Sequence, residues 1–159
     1  ENIHMAYPLD DYDKILLRHL QADARLSQQE LGKIAHLSTA AVNRRLKLLQ
    51  QAGVITHYSA AINPKAVGCD LTVIVEVMVN DERLDLLEAM QRQFQRCEHV
   101  QQCYYIAGGC DFVLIFLVAD MEQYVALAHQ LFHANSNVKS FKTLVAMNRV
   151  KTGMDVPIL

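Results

Sequence analysis

Apolar positions between residues 9 and 55 recur every three or four residues, and turn residues break them into three blocks. Leu9, Tyr12, Ile15, Leu16 and Leu20 share one helical face, which predicts a helix over about Asp11 to Gln21. Asp10 or Asp11 can cap it, and Asp13 favours its positive end. Asp23-Ala24-Arg25-Leu26 reads as a turn. Ser27-x-x-Glu30 is a capping box that opens a second helix, with Leu31, Ile34 and Ala35 inward. Ser38 caps a third helix, whose inward seam is Val42, Leu46 and Leu49, and Gly53 ends it as a left-handed cap. Val54 to Ile62 alternates loosely and predicts a short hairpin, or wing, ending at Asn63-Pro64. Residues 1–7 show no periodicity and read as a disordered tail.

Beyond that connector, strand-like runs alternate with helical ones. Asp70 to Val79 reads as a strand, Glu82 to Gln95 as a helix with Leu84, Leu87, Met90 and Phe94 inward, and Val100 to Ala107 as a second strand. Gly108-Gly109 is a turn. Asp111 to Val118 is a strand so apolar that both faces should be buried. Met121 to Ala134 reads as a helix using Met121, Tyr124, Val125, Ala128, Leu131 and Phe132, and Val138 to Val150 as a last strand. The predicted fold is α+β: an N-terminal winged helix-turn-helix over residues 1–63, then a ferredoxin-like β-α-β-β-α-β domain over 64–159. Two helices then cover one face of an antiparallel sheet and leave the other open. That open face is largely apolar, so a homodimer joined sheet to sheet through residues 69–151 is expected.

The net charge of −2 does not point to a polyanion partner, but its distribution does. Lys33, Arg44, Arg45 and Lys47 are the only charged residues between positions 31 and 50, and a local basic patch is enough to meet phosphates. The apolar seam of the third helix leaves Thr39, Ala40, Asn43, Arg44 and Lys47 outward. Asn43 and Arg44 sit where base edges would be reached, since Asn pairs with adenine and Arg with guanine. Arg45, nearer the seam, suits a phosphate, as do Thr39, Lys47 and the backbone N–H groups at the Ser38 cap, with Ala40 also on the DNA-binding side. The competing reading is an ordinary solvated helix face.

Other chemistry is sparse. Cys69, Cys97, Cys103 and Cys110 form no C-x-x-C pair and read as free buried thiols. His129 and His133 lie i, i+4 without a third ligand in register, and Tyr104-Tyr105 divide between core and interface. No nucleophile–base pair, phosphate-cradling loop or carboxylate pair supports an enzyme, and no metal or cofactor is expected. No apolar run reaches the roughly 18 residues of a membrane span, and no secretory signal opens the chain, so a cytoplasmic, nucleoid-associated protein is expected.

Several stretches together resemble the leucine-responsive regulator (Lrp)/AsnC family of prokaryotic transcription factors. They are Leu9-Asp10 with Asp13 and Ile15-Leu16, Arg25-x-Ser27-x-x-Glu30-Leu31, Leu37-Ser38, Arg45-Leu46-x-x-Leu49, Gly53-Val54-Ile55 and Gly68. In the second half they are Val100, Cys103, Gly108-x-x-Asp111-Phe112, Val138 and a lysine-bearing tail ending near Pro157. The resemblance implies a DNA-binding domain joined to an amino-acid-sensing domain, dimers that assemble into tetramers or octamers, and an effector site between dimers. It implies that the loop Ala107-Gly108-Gly109-Cys110-Asp111 helps bind the amino acid, with Gly108 and Asp111 the matched positions. Asp111 would pair with the effector ammonium, and Asp120 and Tyr124 would lie nearby. The sequence departs from the family at Ala107, where many members carry threonine, and at Gly109-Cys110, where bulkier or charged residues are common. A hairpin turn in which Asp111 satisfies backbone N–H groups stays open as the alternative. A nucleoid-structuring protein with weak sequence preference and no effector is the alternative function.

Overall fold

The computed structural model describes residues 7–159, which form two compact units. One comprises the chain through Ala61 together with Gly153–Leu159, and the other is Ile62–Thr152. The final seven residues thus belong to the first unit, whereas the sequence boundary at residue 63 places them in the second.

The first unit holds α1 (Asp11–Ala22), α2 (Gln28–Ala35) and α3 (Thr39–Gln51). Asp10 and Asp13 form a capping box on α1, and Ser27 and Glu30 form one on α2. Leu16, Leu31, Ala35, Val42, Leu46 and Leu49 make the core, and Tyr7 packs at its edge rather than continuing a tail; residues 1–6 lie outside the described residues. Ile34 is exposed, not inward; Gly32 takes the buried place on α2. A methyl on Gly32 would stand 2.6 Å from the Leu37 carbonyl oxygen, so only glycine lets the α2–α3 turn close this tightly. Gly53 (φ 72°) terminates α3, with its own N–H donating to Gln50 and that of Val54 to Leu49.

The expected wing is not formed. Val54 and Ile55 fold back onto the helical core, and residues 56–63 are exposed and unpaired as strands. No Asn-Gly or similar pair is present to turn a two-stranded ribbon there, and such a ribbon is marginal alone.

The second unit runs β1 (Leu71–Val79), α4 (Leu84–Arg96), β2 (Val100–Tyr105), β3 (Phe112–Val118), α5 (Met121–Ala128) and β4 (Val138–Val145). The sheet order is β2-β3-β1-β4, every neighbouring pair antiparallel. Val73, Val75 and Val77 of β1 and Phe112, Leu114 and Phe116 of β3 are wholly buried beneath Leu87, Met90, Phe94, Tyr124, Leu131 and Phe132. The opposite side of β3, Val113, Ile115 and Leu117, is only half-buried in a single subunit. β4 stops at Val145 rather than at 150, because its partner β1 begins at Leu71 and the ladder runs out.

Leu84, Met121 and Val125, expected inward, are exposed. Leu84 and Met121 are the first residues of their helices, and Val125 lies off the Tyr124–Ala128 line. The predicted single helix to Ala134 widens at His129–His133 into a π-helical turn, with both Leu131 and Phe132 buried.

Candidate nucleic-acid interface and effector cleft

The three-residue turn between α2 and α3 sets α3 across the unit with Val42, Leu46 and Leu49 down. Its other side is therefore committed to solvent. Ser38 caps the helix, its hydroxyl accepting from the Ala41 N–H at 3.2 Å. Thr39, Ala40, Arg44 and Lys47 are exposed, and Asn43 is partly so. Neither Arg44 nor Lys47 has an ion-pair partner among the described residues. A helix N-terminus with free N–H groups and two unpaired cations on one exposed side attracts anions.

Arg45 departs from its expected role as a phosphate contact. Its Nη1 donates to Asp10 Oδ2 at 2.7 Å and to Asp13 Oδ1 at 2.8 Å, and its guanidinium carbon stands 5.3 Å from the Tyr12 ring centre. Asp13 is buried; the bonds to Asp13 and Asp10 raise the Arg45 pKa. The Asp10 pKa is lowered, chiefly by the backbone N–H of Asp13 and then by Arg45. Arg45 thus fastens α3 to the start of α1. The signal was in the sequence: Asp13 lies three residues before Leu16, on the buried side of α1, and a carboxylate there needs a cation.

At one end of the sheet, the loop between β2 and β3 borders a cleft of about 480 Å³. Glu82, Tyr105, Ile106, Ala107, Gly108, Cys110 and Asp111 line it. The Asp111 Oδ2 accepts the Val79 N–H at 2.7 Å, its own N–H donates to Val77 O, and its carbonyl accepts the Ile106 N–H. One carboxylate oxygen therefore satisfies a backbone N–H at the end of β1, while the turn itself is closed by the Ile106 N–H on the Asp111 carbonyl; the other carboxylate oxygen has no partner among the described residues. A side chain added at Gly108 or Gly109 would meet no protein atom within 4 Å, so the loop presents bare backbone to open space. Glu82 was not foreseen. Its loop is fixed by the buried Asn137, whose Oδ1 accepts from the Asp81 N–H and whose Nδ2 donates to the Asp81 carbonyl, both at 3.0 Å. Burial, then Glu76 and Asp111, push the Cys110 thiol pKa up.

Asp120 and Tyr124 do not join this cleft within one subunit. They follow the far end of β3, whose seven residues span roughly 20 Å. Asp120 caps α5 through the Gln123 N–H at 2.8 Å. Tyr124 is buried edge-on to Phe116, and its hydroxyl shares a 2.6 Å hydrogen bond with Thr143. Burial raises its phenol pKa, and the Thr143 bond opposes that. The four cysteines are free but half-buried, and burial pushes Cys103 to about 11. Tyr104 pairs with Val113 on the open side of the sheet, while the Tyr105 ring packs at a tilt against Phe112 beside the cleft.

Comparison with known proteins places both units. Residues 9–56 match the winged helix-turn-helix DNA-binding family and residues 72–156 match the Lrp/AsnC ligand binding domain. An uncharacterized HTH-type transcriptional regulator of Sinorhizobium fredii is 39% identical over 96% of this chain and 90% of its own. The leucine-responsive regulatory protein of Escherichia coli is 33% identical over 90% and 87%. Among solved structures, a Neisseria meningitidis transcriptional regulator in complex with L-Met superposes with a TM-score of 0.87 at 25% identity, covering 94% of this chain and 97% of that one. The Mycobacterium tuberculosis leucine response regulatory protein does so with a TM-score of 0.81 at 32% identity, covering 95% and 100%.

Proposed function

The chain belongs to the Lrp/AsnC family of transcriptional regulators, which are DNA-binding proteins and not enzymes. From that premise we propose that it is a sequence-specific regulator whose DNA binding or assembly state is modulated by an amino acid. It acts in the cytoplasm, at the nucleoid. The observation that carries the DNA reading is that Arg44 and Lys47, exposed and without an ion-pair partner among the described residues, stand on a helix whose opposite seam is buried. Asn43 and Arg44 read base edges; Ser38, Thr39, Ala40 and Lys47 hold phosphates. Arg44→Ala weakens binding and relaxes sequence preference, while Lys47→Ala lowers affinity evenly and flattens the salt dependence. Gel-shift titrations at several salt concentrations read both. Unchanged affinity in both variants removes the assignment, and equal affinity of the unaltered chain for all sequences moves it to nucleoid packaging.

Supporting a sheet-to-sheet homodimer is the row Leu144, Ile74 and Ile115 across three neighbouring strands on the uncovered side. Glu76 and Lys142, 3.6 Å apart, give the same side a polar fixture. Ile115→Asp should yield monomers by sedimentation, and a persistent dimer would send the interface elsewhere. Such dimers assemble further into tetramers or octamers. The effector site is the Gly108–Asp111 cleft completed between dimers, with Asp111's free oxygen or Glu82 meeting the ammonium; the L-Met complex of the Neisseria relative supports an amino acid. Each effector would act through unequal affinity for two assembly states. A thermal-shift screen of the twenty amino acids tests this, and no response to any of them counts against it.

A further inference from the structure

The recognition unit is assembled from two separate stretches of chain. It is joined to the sheet unit once after Ala61 and again before Gly153, because the last seven residues return to it. Their anchor is the exposed side of α1. The Gln21 side-chain amide makes a two-way bridge to the Val156 backbone: Nε2 donates to the carbonyl at 2.9 Å and Oε1 accepts the N–H at 3.0 Å. One helical turn earlier, Arg18 Nη2 donates to the Ile158 carbonyl at 3.0 Å. Pro157 stands between the two bonded residues, where it has no N–H to satisfy and holds its φ near −65°. Arg18 and Gln21 lie one turn apart on α1, so the helix offers both side chains from one side to the alternate residues 156 and 158.

We propose that this tail is a second tether that positions the recognition helix, with Gln21 and Arg18 as the positioning residues. The proposal rests on the reading of the protein as a dimeric DNA-binding regulator; the docking does not. A unit held by one strand of chain explores many orientations, and a second attachment removes most of them. Contact with one half-site gains little from that. Simultaneous contact with two half-sites gains much, because the second contact becomes an event at high effective concentration only if the two helices are presented together. Three hydrogen bonds hold the tail in place, and its release would loosen the permitted spacing.

Full-length Gln21→Ala, Gln21→Glu and a chain ending at Asp155 test this. Gln21→Glu keeps an acceptor for the Val156 N–H but sets a carboxylate oxygen against the Val156 carbonyl. Affinity is measured for DNA bearing one half-site and for paired half-sites whose centres are moved in steps of half a helical turn. All three variants should bind the single half-site within twofold of the unaltered chain. On the best paired site they should lose roughly tenfold and show a flattened spacing profile. Combining Gln21→Ala with the truncation should add nothing further. Hydrogen exchange at the Val156 amide, protected in the unaltered chain and unprotected in Gln21→Ala, reads the docking without DNA. A spacing profile that survives the loss of Val156 protection overturns the tether alone, as does an unprotected Val156 amide in the unaltered chain. No DNA binding by the unaltered chain sinks the regulator reading and the positioning role together.

Discussion

Arg45→Ala separates a structural role from a DNA-contacting one. The substitution removes the donor that serves Asp13 at 2.8 Å and Asp10 at 2.7 Å. The Asp13 side chain is 2% exposed and depends on Arg45, whereas that of Asp10 is 49% exposed and is already hydrated. Among the described residues, Asp13 keeps only the Asp10 N–H, at 3.3 Å. Stranding one member of a fully buried pair costs about 3–5 kcal/mol. Arg45 is itself 20% exposed and water enters the space it leaves, so a cost of about 2–3 kcal/mol is expected. Losing the cation over Tyr12 adds about 0.5 kcal/mol. In a unit of this size each kcal/mol moves the midpoint by roughly 4–8 °C, so unfolding of the helical unit should fall by about 10–28 °C. Circular dichroism at 222 nm during heating reads the change. Asp13→Leu combined with Arg45→Met should recover most of it, because an apolar pair replaces a buried ionic one. The DNA arm is run well below the lowered midpoint. A phosphate contact contributes about 0.9 to the slope of log affinity against log salt, so Lys47→Ala should reduce the slope by about one and Arg45→Ala should leave it unchanged. A midpoint shift under about 3 °C with a reduced slope would refute the assignment and return Arg45 to the DNA.

Three further outcomes follow from the same geometry. Gly32→Ala puts a methyl against the Leu37 carbonyl and should destabilise the helical unit by about 1–2 kcal/mol despite alanine's better helix propensity; a raised melting temperature contradicts the tight turn. Asp10 and Glu30 have pKa values below their ordinary 3.8 and 4.5, through the Asp13 N–H and Ser27 respectively. Their contribution is complete above those ordinary values and is lost as pH falls through the lower folded ones. Helical stability should therefore hold from about pH 7 to 5 and drop below about pH 4, and a flat profile to pH 3 would show the caps contribute nothing. Tyr124→Phe removes the bond to Thr143 and should cost the sheet unit about 1 kcal/mol in urea unfolding, with single half-site DNA affinity unchanged.

Local chemistry explains what could be read from the linear chain. Serine and aspartate caps mark helix starts because they satisfy N–H groups within three residues, and Val42, Leu46 and Leu49 define α3's buried seam by spacing alone. The four strands and their order along the chain follow equally from period and turn residues. What escaped that reading involves partners far apart in sequence. Nothing local says that Arg45 meets Asp13 thirty-two residues earlier, that Asn137 fixes the Glu82 loop, or that Val156 returns to Gln21. The family resemblance puts Asp120 and Tyr124 near the glycine loop, yet within one subunit β3 carries them to the opposite end of the sheet, because a strand moves its ends apart by over three ångströms per residue. Period and caps belong to the sequence because they act over one turn of helix or two residues of strand; ion pairs, clefts and the docked tail belong to the tertiary structure because chain closure alone decides which distant groups meet.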